Sequence, residues 1–389
     1  MKNVYLDNGA TTAVDPEVVK AMLPYFTEEY GNASSIHKLG RNAKNAIEQA
    51  REHIAKSINA KPSDITFTSG GTESDNLAIK GVAFKNKDKK TTKGPHIITS
   101  SIEHPAVLET CKYLEKIGYD VAYLPVDTQG LIDPKTLEET INDNTFLVTI
   151  MAANNEIGTI QPIRKLGAIC HHYNAFFHTD AVQALGKMPL DVEADNIDML
   201  SISAHKIYGP KGIGALYRQK KVPIQTIQHG GGHEKGLRSS TYNTPGIVGL
   251  GKACQLGQTR MSNDNAHMTK LRDQLIKNSL EIEASYLNGH PKKRLANNAH
   301  LRFDAIEGES LNLLLDKNGI FAATGSACSS EKLSASHVLM AIGLKPEESH
   351  GSLRLTLSRT TTQEDIDYVS EILPGIVQSL RNLSPLWNR

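Results

Sequence analysis

Apolar and polar positions along this chain follow two interleaved periods. Asn42–Ile58 places Ala43, Ile47, Ala50, Ile54 and Ile58 at helical spacing, which predicts an amphipathic helix with one buried stripe. Short apolar runs bounded by turn residues predict strands buried on both faces: Ile65–Thr68, His96–Ser100, Phe146–Met151, Ala175–His178 and Met199–Ser203. Helical patterns fall between them at Ser74–Phe84, Ala106–Ile117 and Ile163–His172. Strands alternating with helices predict an α/β fold with a mostly parallel sheet.

Near residues 255–265 the pattern changes. The Gly-rich segment Gly230–Gly251 gives way to a long polar helix pattern, Asn263–Leu287. Arg294–Phe303 and Ile320–Ala323 then read as strands, and a helix opens near Ser334. A large domain followed by a smaller C-terminal one is expected.

Composition narrows the classes of function. The chain has 389 residues, enough for two or three domains at roughly 150 residues each. Lys plus Arg is 43 against 42 for Asp plus Glu, a balance that argues against a dedicated nucleic-acid binder. Lys85–Lys93 holds five lysines and reads as a solvated surface loop. No apolar run approaches the ~18 residues of a membrane span, and the N-terminus turns polar too early for a signal peptide. The four cysteines, Cys111, Cys170, Cys254 and Cys328, are scattered singly, so neither a disulfide framework nor a zinc site is expected. A cytoplasmic enzyme with reduced thiols is the default reading.

Four segments carry candidate chemistry. In Thr66–Asn76 an apolar strand runs into Gly70, Gly71 and Thr72 and then into a helix, the makings of a phosphate cradle. A tight turn with a helix cap is the other reading of the same residues. Asp180 follows the run Phe176–Thr179, where ligands bind in open α/β sheets; it can hold a protonated ring nitrogen or simply cap a helix. Ser203, His205 and Lys206 end a strand before a glycine-rich turn, and a lysine so placed can form a Schiff base. Cys328 lies among small residues in Phe321–Ser330 and is either an idle thiol or a nucleophile in need of local help. Cys111 and Cys170 fall in helical patterns and read as inert packing; Cys254 reads the same way.

The order of these segments closely resembles the NifS/IscS-type cysteine desulfurases, pyridoxal phosphate enzymes of the class V aminotransferase group. The likeness runs from Tyr5–Thr12 to Ser384–Trp387 and is most specific at Ser203–Gly212 and Gly325–Cys328, with Asn154–Gly158 and Gly230–Glu234 adding to it. It implies a fold type I homodimer with active sites at the subunit interface. It implies a large domain, 15–260, with a mostly parallel seven-stranded sheet. A smaller α+β domain would comprise 1–14 and 261–389 and carry the cysteine loop. Residue by residue, Lys206 would carry the cofactor, Asp180 would pair with its ring nitrogen, Gln183 would bond its phenolic oxygen and His104 would stack on the ring. Gly71, Thr72, Ser203 and His205 would bind the phosphate, with Thr241 reaching in from the partner subunit. Asn155 and Arg354 would hold the carboxylate of L-cysteine, His104 would shuttle a proton, and Cys328 would take the sulfur as a persulfide. The resemblance further implies delivery to an iron–sulfur scaffold of the IscU/NifU kind or to another acceptor. A selenocysteine lyase or a class V transaminase is the alternative. The chain departs from the family's usual pattern at Ser240 and Ser358, where glycine is usual, and at Gly351, where serine is usual.

Overall fold

The computed structural model describes residues 2–87, 94–324 and 335–387. Most of the expected lysine loop, Cys328 and the helix start expected near Ser334 lie outside the described residues. The strands, in chain order, are β1 (Val4–Tyr5), β2 (Ile65–Thr68), β3 (His96–Ser100), β4 (Asp120–Leu124), β5 (Thr145–Thr149) and β6 (Phe176–Asp180), then β7 (Met199–Ser203), β8 (Gly214–Arg218), β9 (Ser285–Leu287), β10 (Asn298–Phe303), β11 (Ile320–Phe321) and β12 (Ser352–Thr356). Seven of them form one sheet in the order β2-β8-β7-β6-β5-β3-β4. Only β8 runs against its neighbours, β2 and β7; the remaining pairs are parallel. Every residue of β3, β5 and β7 is buried, which is why these runs show no alternation in the sequence. The sheet is therefore α/β and mostly parallel, as the periodicity predicts.

Two elements depart from the sequence reading. Asp180 is the last residue of β6, paired with Ser201 of β7, and does not follow the strand. The helix expected to open at Asn263 starts earlier, within the last part of the Gly-rich segment, and runs unbroken over Thr244–Ser279. The glycines are there for contact. A Cβ on Gly251 would meet the Ala50 Cα at 2.6 Å, so the long helix can lie against the Lys38–Ser57 helix only with glycine at this position. The expected helical run to Leu287 stops at Ser279, and Ser285–Leu287 is a strand.

Four apolar clusters form among the described residues, two of them large. One packs around the large sheet through Ile47, Phe67, Ile98, Val148, Phe177, Leu200 and Leu250. The other gathers Val4 and Leu6 with Leu275, Leu301, Phe303, Leu355, Ile366 and Leu373. The first residues of the chain thus join its last third, through β1 beside β11 and through the Asp7–Thr356 bridge to an antiparallel sheet in the order β12-β10-β9. Gly351 sits where a Cβ would meet the Phe303 carbonyl oxygen at 2.0 Å, so the approach of β12 to β10 in this chain depends on its lacking a side chain. Ser358 is buried and shares its hydroxyl with Thr360 at 2.9 Å; Ser240 is exposed.

Glu234, in the Gly230–Glu234 segment, is a brace. Its carboxylate accepts two bonds from Arg51, at 2.9 and 2.8 Å, and one from the Phe67 amide at 2.8 Å. The Arg51 guanidinium also donates to the Ile65 carbonyl and lies over the Phe67 ring. Both side chains are almost fully buried. Removing one partner of such a pair leaves the other charge buried and uncompensated, at a cost of roughly 3–5 kcal/mol. Glu234→Ala is accordingly expected to lower the unfolding free energy by about that amount in a denaturant titration; a loss below about 1 kcal/mol would contradict the assignment.

Candidate active site

A cavity of about 530 Å³ opens at the ends of β6 and β7 and is closed from the other side by β12. Ligands of open α/β sheets bind at the carboxyl ends of the strands, and the chain places its polar side chains there. Gly71, Thr72, His104, Asn155, Asp180, Gln183, Ser203, His205, Lys206 and Arg354 all line this one cavity. Ten of the expected residues are therefore brought together. Thr241 is exposed and does not line the cavity of its own chain. Cys328 lies outside the described residues.

Lys206 ends the short turn Ala204–Lys206 that follows β7. Its amine donates to the carbonyls of Gly9 and Ala10, both at 2.7 Å. Gln183 donates to the same Gly9 carbonyl from Nε2 at 3.0 Å. The N-terminal segment is held from the other side as well: the Thr12 amide donates to the His205 carbonyl at 2.9 Å, and Asp7 pairs with Arg354 at 2.9 Å. Arg354 also donates to the Asn155 carbonyl at 3.1 Å, while its buried Nε has no partner among the described residues. A guanidinium with a donor to spare at a cavity wall suits a carboxylate.

The acid and the imidazoles are tuned by burial. Asp180 accepts one bond, from the Val182 amide at 2.8 Å, and burial raises its pKa against the pull of His104 and Lys206. His104 caps the Pro105–Lys116 helix, its Nδ1 accepting from the Ala106 amide at 3.1 Å, which leaves the neutral ring's hydrogen on Nε2. Burial lowers its pKa. Burial, with Lys206 next in effect, holds the His205 imidazole down to about 4, so it is neutral at ordinary pH.

The opposite wall is the N-terminus of the helix Gly71–Lys85, which no side chain caps. A Cβ on Gly71 would strike Val182 at 2.6 Å, so this terminus can sit beside β6 only with glycine there. Open amides at a helix start attract an anion. An anion cradle, a buried carboxylate and an amine around one cavity fit a phosphorylated pyridine aldehyde: the helix start for the phosphate, Asp180 for the ring nitrogen, Lys206 for the carbonyl carbon.

Sequence reasoning assigned no role to several lining residues: Gly9, Ala10, Asp75, Met151, Glu156, Val182, Ser336 and His337. Asp75 was legible in principle, since it stands four residues after Gly71 and so on the same helix face. Its carboxyl is buried, with Oδ1 making no hydrogen bond and lying 3.7 Å from the His178 Nε2, and burial and Asp180 together push its pKa well up. Glu156 accepts from the Ser336 hydroxyl at 2.5 Å, and burial lifts its carboxyl to about 7. Glu103, beneath His104, accepts from the Met151 amide at 2.9 Å and is pushed by burial up to about 8. The three other cysteines are buried as expected, with Cys111 and Cys254 raised by burial to about 12.

Comparison with known proteins agrees with this geometry. The aminotransferase class V family model matches residues 4–369. A protein named cysteine desulfurase IscS from Methanosarcina thermophila is 56% identical over 385 residues, covering 99% of this chain and 94% of the relative. A protein of the same name, numbered 1, from Archaeoglobus fulgidus is 51% identical, covering 99% of this chain and all of the relative. Among solved structures, a NifS-like protein superposes with a TM-score of 0.91 at 40% identity, covering 97% of this chain and all of that one. A structure titled SspA in complex with cysteine gives a TM-score of 0.81 at 39% identity, over 92% of this chain and all of that one. The chain belongs to the class V aminotransferase family, in the group of the cysteine desulfurases.

Proposed function

We propose that this chain is a pyridoxal phosphate-dependent cysteine desulfurase, converting L-cysteine to L-alanine and passing the sulfur to Cys328 as a persulfide. The observation that carries the reading is the cavity itself, where Lys206 and Asp180, from adjacent strand ends, face Arg354 of the opposite core. The relatives named as cysteine desulfurases over nearly the whole chain do not favour the selenocysteine lyase or transaminase alternative.

When bound, pyridoxal phosphate supplies an electron sink for charge that develops at the substrate α-carbon. Lys206 would hold the cofactor through its amine, and its Nζ is the atom that would take up a proton. Asp180 would hold the ring nitrogen in its protonated form, whose charge would offset the cost of burying the carboxylate. Gln183 would bond the phenolic oxygen, and Gly71, Thr72, Ser203 and His205 would bind the phosphate, joined by Thr241 of a second copy. His104 would stand against the ring, and it holds an exchangeable proton at Nε2. Arg354 and Asn155 grip the substrate carboxylate. The Cys328 thiolate attacks the substrate sulfur, the carbon–sulfur bond breaks, and protonation of the remaining carbon fragment gives alanine.

The same reading includes a homodimer. Leu23, Phe26, Tyr30 and Ile36 expose large apolar side chains in one stretch, which a partner's surface would cover. We further infer a cytoplasmic enzyme that supplies an iron–sulfur scaffold of the IscU/NifU kind or another thiol acceptor. No helix among the described residues is long and apolar enough to cross a membrane.

Three outcomes are expected. Lys206→Ala abolishes both the visible absorbance of the purified protein and alanine formation from cysteine; a variant that keeps both would refute the assignment. Arg354→Lys, which loses the two-pronged grip, raises KM for cysteine about tenfold or more in steady-state assays with a smaller change in kcat. Sedimentation shows a dimer at micromolar concentration, and a stable monomer with full activity would refute the shared site.

A further inference from the structure

Lys187 is a buried amine that the mechanism above does not use. It closes the turn segment after β6, only 7% exposed, and its Nζ donates to the Gln183 carbonyl at 3.2 Å. Its own carbonyl is held by Asn265 of the long helix at 2.9 Å, and its amide donates to Ala184 at 2.9 Å, so the backbone is fixed on both sides. A buried ammonium is normally paired. No carboxylate among the described residues lies within ion-pair distance of Lys187. Of the ionisable groups around it, the Lys206 cation, from the turn after β7, acts on Lys187, and Lys187 in turn acts on the neutral His205; Lys206 itself also interacts with the Asp180 carboxyl of β6 and with His104. The long helix contributes only the neutral Asn265. Lys187 and Lys206 also hang on one polar chain, since Gln183, which accepts from Lys187, shares the Gly9 carbonyl with Lys206.

We propose that Lys187 is a positioning residue for the cofactor-bearing lysine, a second buried amine that competes with Lys206 for one buried proton and so keeps the Lys206 nitrogen neutral more of the time. Two like charges in a dry site cannot both be kept at little cost, so the pair holds one proton where two separate lysines would hold two. Burial together with Lys206 brings the Lys187 amine down to about 7, consistent with such competition. A lysine must be neutral to attack a carbonyl carbon or to accept a proton, and a neighbouring cation is one way to make it so. The inference rests on the reading of Lys206 given above.

The test follows the visible absorbance of the lysine-bound cofactor in the holoenzyme as pH is raised. Replacing Lys187 by methionine makes the site drier, which by itself would lower the midpoint, whereas loss of the competing cation raises it. Lys187→Met is expected to move the midpoint up by about one pH unit, a tenfold change in the neutral fraction at fixed pH. Lys187→Arg, with its permanent charge, is expected to hold the midpoint at or below that of the wild type. Lys187→Gln gives the same reading as methionine if the latter fails to fold. A normal band whose midpoint is unmoved or lowered in the uncharged variants overturns this inference alone. A wild-type protein without the band overturns the cofactor assignment and this inference together.

Discussion

The Gly9 carbonyl is the point on which the site depends. It accepts from the amine of Lys206 and from the side chain of Gln183, and the strand just before it belongs to the other core. Val4 and Leu6 anchor that strand among the residues of the last third of the chain, so the bonds at Gly9 tie the end of the large sheet to the face that carries Arg354. Without that tie, the lysine and the guanidinium would stand on two separately packed bodies. With it, they face one cavity at a fixed distance, which substrate positioning requires.

Burial is the second constraint. Asp75 and Asp180 line the cavity, and Glu103 and His178 are buried in the protein around it; all four have little or no exposure to solvent, and in each the uncharged form is favoured by desolvation. Such a set of buried groups is expensive unless something charged enters to pair with it. On the proposed reading, a bound ring nitrogen beside Asp180 would do so, and a substrate carboxylate would do the same for Arg354. The site is thus built around groups that are better satisfied with ligand than without it.

Much of this was legible in the sequence because the chemistry sits at strand ends, and strand ends are marked by apolar runs stopping at glycine, serine or acid. Ile65–Thr68, His96–Ser100 and Met199–Ser203 were readable to the residue, and with them the places of Gly71 and Lys206, while His104 enters only through the family resemblance. The unreadable parts depend on distant partners. Nothing near Glu234 says that it meets Arg51, 183 positions earlier, nor does the glycine-rich stretch before Gly251 reveal the helix that Ala50 packs against. The buried acids were missed for the same reason: Asp75, Glu103 and Glu156 stand in polar segments, and their burial is set by elements far along the chain.

The central claim is that the cavity takes sulfur from cysteine and hands it to Cys328. The most direct measurement is mass spectrometry of the intact enzyme and of its Cys328 peptide after brief exposure to L-cysteine without any reductant. One added sulfur atom on the Cys328 peptide, absent when Lys206 is replaced by alanine, is the predicted result. Alanine formed in amounts equal to the enzyme, with no sulfur on Cys328, would contradict the account.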